Sequence, residues 1–138
     1  MGVYHDTLNP DGLARTDELI PNAHIVYHNS AWELLLEGFL IRHKPENGEA
    51  HYSPMFYAQL SRKFGLWTPY ARFTYVNASR NDLIYTTILN QSGLNYGPTL
   101  GLRYDFSTYL AVKAQYDYTK NTGQKDGNEL TLQVAFTF

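Results

Sequence analysis

The chain has 138 residues, a net charge of −2 at pH 7 and no cysteine, and 15% of its residues are aromatic. That length fits one domain, a near-neutral charge argues against a nucleic-acid partner, and the absence of cysteine excludes disulfides and thiolate metal sites. No apolar run approaches the ~20 residues of a membrane-spanning helix. A transmembrane β-barrel stays compatible with the mean hydropathy of −0.40, because its strands alternate apolar and polar residues.

Alternation with a period of two dominates the chain and predicts β-strands that each have one apolar face. The first segment, over residues 3–6, is short, and we expect a long loop over 7–21 to follow it. Seven longer segments then follow in chain order, most of them about ten to twelve residues long. They cover 23–28, 32–43, 56–64, 67–75, 95–106, 110–119 and 129–138.

Tight and long connections alternate between these segments. The tight ones are at 30–31, 65–66 and 106–108, and the long ones at 44–50, 78–92 and 120–127. Strands of this length exceed the ~5–6 residues typical of soluble sheets and match the ~9–11 of a tilted membrane strand. The sequence therefore predicts an all-β fold, an antiparallel up-and-down transmembrane β-barrel with about eight strands here. Residues 1–138 form a single domain or, as we favour, the C-terminal portion of a larger barrel.

The positions of polar residues predict the register of each tight hairpin, because a slip of one residue would exchange the two faces. A two-residue loop at 30–31 suits the first hairpin, and one at 65–66, with glycine first, suits a type II′ turn. A three-residue loop at 106–108 suits the third. The expected pairs are Tyr27 with Leu34, His28 with Glu33, Phe64 with Trp67, Gln59 with Arg72, Gly101 with Lys113, and Gly97 with Asp117.

Aromatic residues collect at both ends of the apolar faces, with aliphatic residues between them. Such girdles are typical of membrane barrels. The alternative is a soluble barrel or sandwich with its apolar faces in a dry core. That alternative predicts shorter strands and a polar face dominated by Lys and Glu.

The last strand, Leu-Thr-Leu-Gln-Val-Ala-Phe-Thr-Phe, resembles the C-terminal strand signal of Gram-negative outer-membrane proteins. Residues 97–117 are similar to the closing strands of porin-like barrels, and the resemblance covers about residues 23–138. It implies integration into outer-membrane lipid, insertion by the barrel-assembly machinery, and passive passage of small polar solutes. The implied assembly signal comprises Leu132, Val134, Phe136 and Phe138.

Charged and amide side chains on the polar faces are the candidate lumen residues. We expect them to form either a constriction that screens solutes by charge or a structural network of paired charges, and their mixed signs predict no clear selectivity. The apolar loop 82–90 either folds inward as a constriction or, as we favour, extends its two strands. The lumen candidates are Glu33, Glu37, Arg72, Arg103, Asp105, Lys113, Gln115 and Asp117.

The sequence also suggests a metal site and a hydrolase site, and each has a simpler structural explanation. His24, His28, Glu33 and Glu37, with His43 and His51 nearby, suggest a metal site, but His24 and His28 would lie ~13 Å apart, so we expect separate cross-strand pairs and no cofactor. His28 and Ser30 suggest a lipid A acyl hydrolase, yet Ser30 lies in a turn without a third orienting group. We expect no enzyme. A closed barrel with a structural or adhesive role is the main alternative to a porin.

Overall fold

The computed structural model describes residues 1–90, 92–122 and 125–137 and consists of one antiparallel sheet. A single π-helical turn, Ile84–Ile88, lies in the β5–β6 connection. The strands are β1 (Gly2–Leu8), β2 (Thr16–His28), β3 (Trp32–Pro45), β4 (His51–Arg62), β5 (Trp67–Ala78), β6 (Gly93–Asp105), β7 (Leu110–Asn121) and β8 (Gly127–Phe136). Among the described residues, no helix is long and apolar enough to cross a membrane.

Each strand pairs with its neighbour in the chain, in the order β1 to β8. The predicted all-β, up-and-down antiparallel fold with about eight strands is therefore confirmed. No pairing joins β1 to β8 within the described residues, so the sheet is open along these two edges.

The N-terminal boundaries differ from the prediction. β1 continues to Leu8 and β2 begins at Thr16, and these two residues pair directly. The expected loop over 7–21 is therefore wrong, and only residues 9–15 connect the strands. The alternation was hidden because apolar Ile20 faces the same side as Glu18, and Pro21 is rare within strands since it has no N–H to donate.

The first two tight hairpins have the predicted registers. In the first, Tyr27 pairs with Leu34 and His28 with Glu33. In the second, Phe64 pairs with Trp67 around Gly65, whose φ of 59° is the left-handed value that glycine adopts most easily. No other residue of this turn has a positive φ, as a type II′ turn requires.

The third hairpin is shifted by two residues from its predicted register. The N–H of Phe106 donates to the carbonyl of Leu110 at 2.9 Å, so the loop comprises 107–109 rather than 106–108. Gly101 consequently pairs with Gln115, and Asp117 pairs with Thr99, not with Gly97. Because the shift is even, every side chain keeps its predicted face.

The polar face of this sheet is its buried face. Thr99 is 5% exposed, whereas Leu100 beside it is 60% exposed and Leu132 is 72% exposed. Polar residues dominate the buried positions, and aliphatic residues from several strands lie on the exposed surface. The buried polar residues are Thr16, His43, Ser53, Ser61, Asp82 and Thr99. The sheet thus curves around its polar side, which is the reverse of a water-soluble sheet with one buried face.

Candidate functional site

A cavity of about 400 Å³ lies on the concave polar face, near the end with the tight turns. Side chains from β3 to β7 and from the β4–β5 turn surround it. It contains five of the eight predicted lumen residues, namely Glu33, Arg72, Arg103, Asp105 and Lys113. The other lining residues are Gln59, Ser61, Lys63, Thr68 and Tyr70.

Tyr70 crosses this face over a neighbouring strand. It starts on β5, passes over Gly101 of β6, and donates a hydrogen bond from its hydroxyl to Gln115 Oε1 of β7 at 2.8 Å. A Cβ built on Gly101 would lie 2.0 Å from Tyr70 Cζ. Only glycine therefore fits beneath the ring, and the aromatic side chain forms a wall of the cavity.

The basic side chains of the cavity have different partners. Arg72 donates from Nε and Nη2 to Gln59 Oε1, at 2.9 and 2.7 Å, which confirms the predicted neighbourhood of these residues. Arg103 Nε donates to Asp105 Oδ1 at 2.7 Å, and Lys113 Nζ lies 5.1 Å from the centre of the Tyr70 ring. Among the described residues that line the cavity, Asp105 and Glu33 are the acidic ones.

The remaining predicted lumen residues lie outside the cavity. Asp117 accepts hydrogen bonds from Thr99 Oγ1 at 2.5 Å and from Gln115 Nε2 at 2.7 Å. Glu37 faces His24 and Tyr57 across its two strand pairs. The structure therefore places Glu37, Gln115 and Asp117 outside the cavity, while Glu33 and Asp105 line it together with the basic residues.

A second buried cluster lies at the end with the long loops. His43 Nδ1 lies 2.5 Å from Asp82 Oδ2, and its Nε2 lies 2.8 Å from Glu18 Oε2. Tyr85 stacks on the His43 ring with centroids 5.5 Å apart and hydrogen-bonds with Ser53. Residues from β2, β3, β4 and the β5–β6 loop thus meet at one place.

This contact corrects the favoured expectation for loop 82–90. Asp82 and Tyr85 are 3% and 6% exposed, so the loop folds over the polar face instead of extending β5 and β6. Sequence reasoning missed the site because Asp82 lies 39 residues from His43. The available signals were the apolar loop and His43 at the end of a predicted strand, which the sequence analysis grouped with other histidines.

The carboxylates of this second buried cluster favour the protonated imidazole of His43. Burial acts to lower the pKa of His43, but hydrogen bonds and charge attraction from Asp82 and Glu18 outweigh it and raise the pKa above its usual 6.5. Burial raises the pKa of Tyr85 to about 12. The neighbours Arg42 and Lys44 project to the opposite, otherwise apolar face of β3. Because that face is charged at this level, the His43 cluster lies beyond the apolar part of the strand.

The other predicted sites are placed as follows. Leu132, Val134 and Phe136 of the assembly signal are exposed on β8, while Phe138 lies outside the described residues. His28 Nδ1 lies 3.9 Å from Glu33, and no hydrogen bond joins His28 to Ser30 in the described part of the chain. Within the same residues, no group of three or more His, Asp or Glu side chains is arranged to hold a metal ion.

Comparison with known proteins found no relative of this chain. No family model matches the chain, and searches of curated proteins and of solved structures found no match. Inferences about function therefore rest on the two faces of the sheet and on the cavity.

Proposed function

We propose that this chain forms the wall of a porin-like outer-membrane β-barrel that lets small polar solutes pass passively. The observation that carries the proposal is the reversed burial, in which Thr99 and Ser61 are covered while Leu100 and Leu132 are exposed. Exposing aliphatic side chains to water is costly at ~25 cal/mol per Å² of apolar surface. Hydrocarbon removes that cost, and water in a lumen solvates the other face.

Aromatic clusters at the two ends of the strands support this placement. At the tight-turn end, Tyr104 packs between Trp67 and Phe106, with ring centroids 4.3 and 4.5 Å away. At the other end, Phe56 and Tyr75 stack at 5.1 Å. Aromatic rings of this kind favour the interfaces of a bilayer, so the two clusters would mark its two surfaces.

The strand lengths are consistent with such a span. β3 to β7 contain 12 to 14 residues each, about 40 Å of extended chain at ~3.3 Å per residue. At the ~40° tilt of membrane strands, this covers about 30 Å, close to a hydrocarbon core.

The open edges of the sheet determine how wide the lumen can be. Unpaired backbone groups cost several kcal/mol each in hydrocarbon, so both edges need partners in a membrane. Pairing of β1 with β8 would give eight strands and an interior filled by side chains. The form that we favour places these strands in a larger barrel, where the cavity would border an open passage.

A bilayer measurement tests the proposal. The full chain, refolded and inserted into a planar bilayer, is expected to give discrete conductance steps, and liposomes that contain it are expected to admit small sugars. A protein that resists extraction by carbonate, and is therefore inserted, yet leaves the bilayer sealed would contradict the passage of solutes. That result would favour a closed structural barrel, for which the buried Tyr85 of the β5–β6 loop is the supporting observation.

A further inference from the structure

The cavity near the tight turns contains more positive than negative charge. Four of its side chains, Lys63, Arg72, Arg103 and Lys113, are basic, and two, Glu33 and Asp105, are acidic. One acid is already bound to Arg103. Among the described residues, no carboxylate lies within 4.0 Å of Lys63 or Lys113. The cavity therefore has surplus positive charge that no acid of the described wall neutralises.

Two of these cations face each other directly. Arg103 on β6 pairs with Lys113 on β7, and both side chains lie on the polar face. Like charges at opposite positions of a strand pair destabilise a sheet. Asp105 compensates Arg103 from one side, and an anion between Arg103 and Lys113 would remove the remaining repulsion at Lys113.

Asp117, the acidic residue on the same strand as Lys113, lies outside the cavity. Asp117 lies four residues from Lys113 on β7, about 13 Å along the strand, which exceeds the ~8 Å Debye length at physiological salt. The Tyr70 side chain and its partner Gln115 lie between the two levels, and Asp117 is hydrogen-bonded to Thr99 and Gln115. The positive charge of Arg103 and Lys113 is consequently local to the tight-turn end of the cavity, whereas Arg72 lies level with Asp117 across Thr99.

We propose that this cavity binds small oxyanions, those with a carboxylate or phosphate group, and makes the barrel anion-selective at its tight-turn end. This inference rests on the proposed function and names its solute class. The guanidinium of Arg103 has donors beyond the Nε that binds Asp105, and a planar guanidinium matches the oxygens of carboxylate and phosphate. Lys113, above the Tyr70 ring, adds a second charge on the opposite strand.

Reversal potentials in a planar bilayer with a KCl gradient test the selectivity. The full chain is expected to pass chloride more readily than potassium. Lys113→Glu changes the local charge by two units. At ~8 Å in water, this changes the occupancy of the cavity by a passing monovalent ion about fivefold. Because chloride loses and potassium gains by this factor, the permeability ratio should fall by up to about 25-fold at low salt and by much less in 1 M salt, where charges are screened within ~3 Å.

Lys120→Glu is the matched control, since Lys120 lies on the same strand but on its outward side. It should leave the ratio unchanged. Lys113→Gln provides a milder variant in case the reversal impairs folding, and it should lower the ratio by about half as much on a logarithmic scale. Channels without anion preference, or an equal effect of the two Glu variants, would overturn the inference while leaving the passage of solutes intact.

Binding provides a readout that does not need conductance. Inorganic phosphate titrated into the detergent-folded chain should give a saturable calorimetric signal that Lys113→Glu weakens and Lys120→Glu does not. If phosphate binds but the inserted protein conducts nothing, the oxyanion site stands and the porin proposal fails. The absence of binding in all variants would overturn the site.

Discussion

Replacing Leu132 by arginine tests which solvent contacts the apolar face. Leu132 is the sixth of the ten residues of β8 and is 72% exposed. At the midplane of a bilayer, arginine on the lipid face of a barrel costs ~2–4 kcal/mol, which is roughly a 30- to 700-fold change in the folding equilibrium. In water, the same surface substitution would change stability by only about 0.5 kcal/mol in either direction.

Thr131→Arg is the matched control because Thr131 is the preceding residue and faces the polar side. Its hydroxyl donates to Glu129 Oε1 at 3.3 Å, so a guanidinium there would lie beside a carboxylate in a wet region. We expect a loss below about 1 kcal/mol, as for other surface changes.

Urea unfolding from phospholipid vesicles, followed by tryptophan fluorescence, measures both variants. Equal losses would refute the assignment of the faces, and no loss for Leu132→Arg would refute contact with lipid.

Four further predictions concern the interior. Gly101→Ala should cost ~1–3 kcal/mol by overpacking, because its Cβ would overlap Tyr70, and Tyr70→Ala should remove that cost. Gly97→Ala should cost more than ~3 kcal/mol, beyond that overpacking range, since its Cβ would lie 1.8 Å from a backbone carbonyl. Asp82→Ala should cost ~1–3 kcal/mol, because His43 Nδ1 loses its buried partner while Glu18 still pairs with Nε2, and it should expose the β5–β6 loop to chymotrypsin. The same loop should loosen in the unmutated chain as pH rises through the raised pKa of His43.

Each of these predictions has its own control. Urea denaturation measures the stability of both glycine variants. If Gly101→Ala is equally destabilising in a Tyr70→Ala background, the proposed overlap with the Tyr70 ring is contradicted. Leu83→Ala changes an exposed residue of the same loop and should leave cleavage slow. The protonated imidazole adds stability that is full below pH 6.5 and is lost above the raised pKa. Cleavage that slows with rising pH, after correction for the protease's own profile, would reverse the assigned sign.

The period-two pattern was sufficient to predict the number of strands and the faces of the longer ones, but not the bounds of β1 and β2. Alternation assigned Leu100 and Leu132 to one side and Thr99 and Lys113 to the other, and the structure has them there. Two tight hairpins were also predictable, because loop length and parity together fix a register. Gly65 added a local conformational signal, since its backbone adopts φ > 0 in the turn.

The contacts that shape the site required the tertiary structure. The third hairpin slipped by two residues, a change that keeps parity and therefore leaves the hydrophobic pattern unaltered. The Tyr70 hydrogen bond to Gln115 spans two strand pairs, and the His43 cluster joins residues as distant in sequence as Glu18 and Tyr85. Such contacts depend on the curvature of the sheet and on the path of a loop, which arise from the summed packing of many residues. Local periodicity determined which side of each strand is polar, and only the folded sheet decided which polar groups meet.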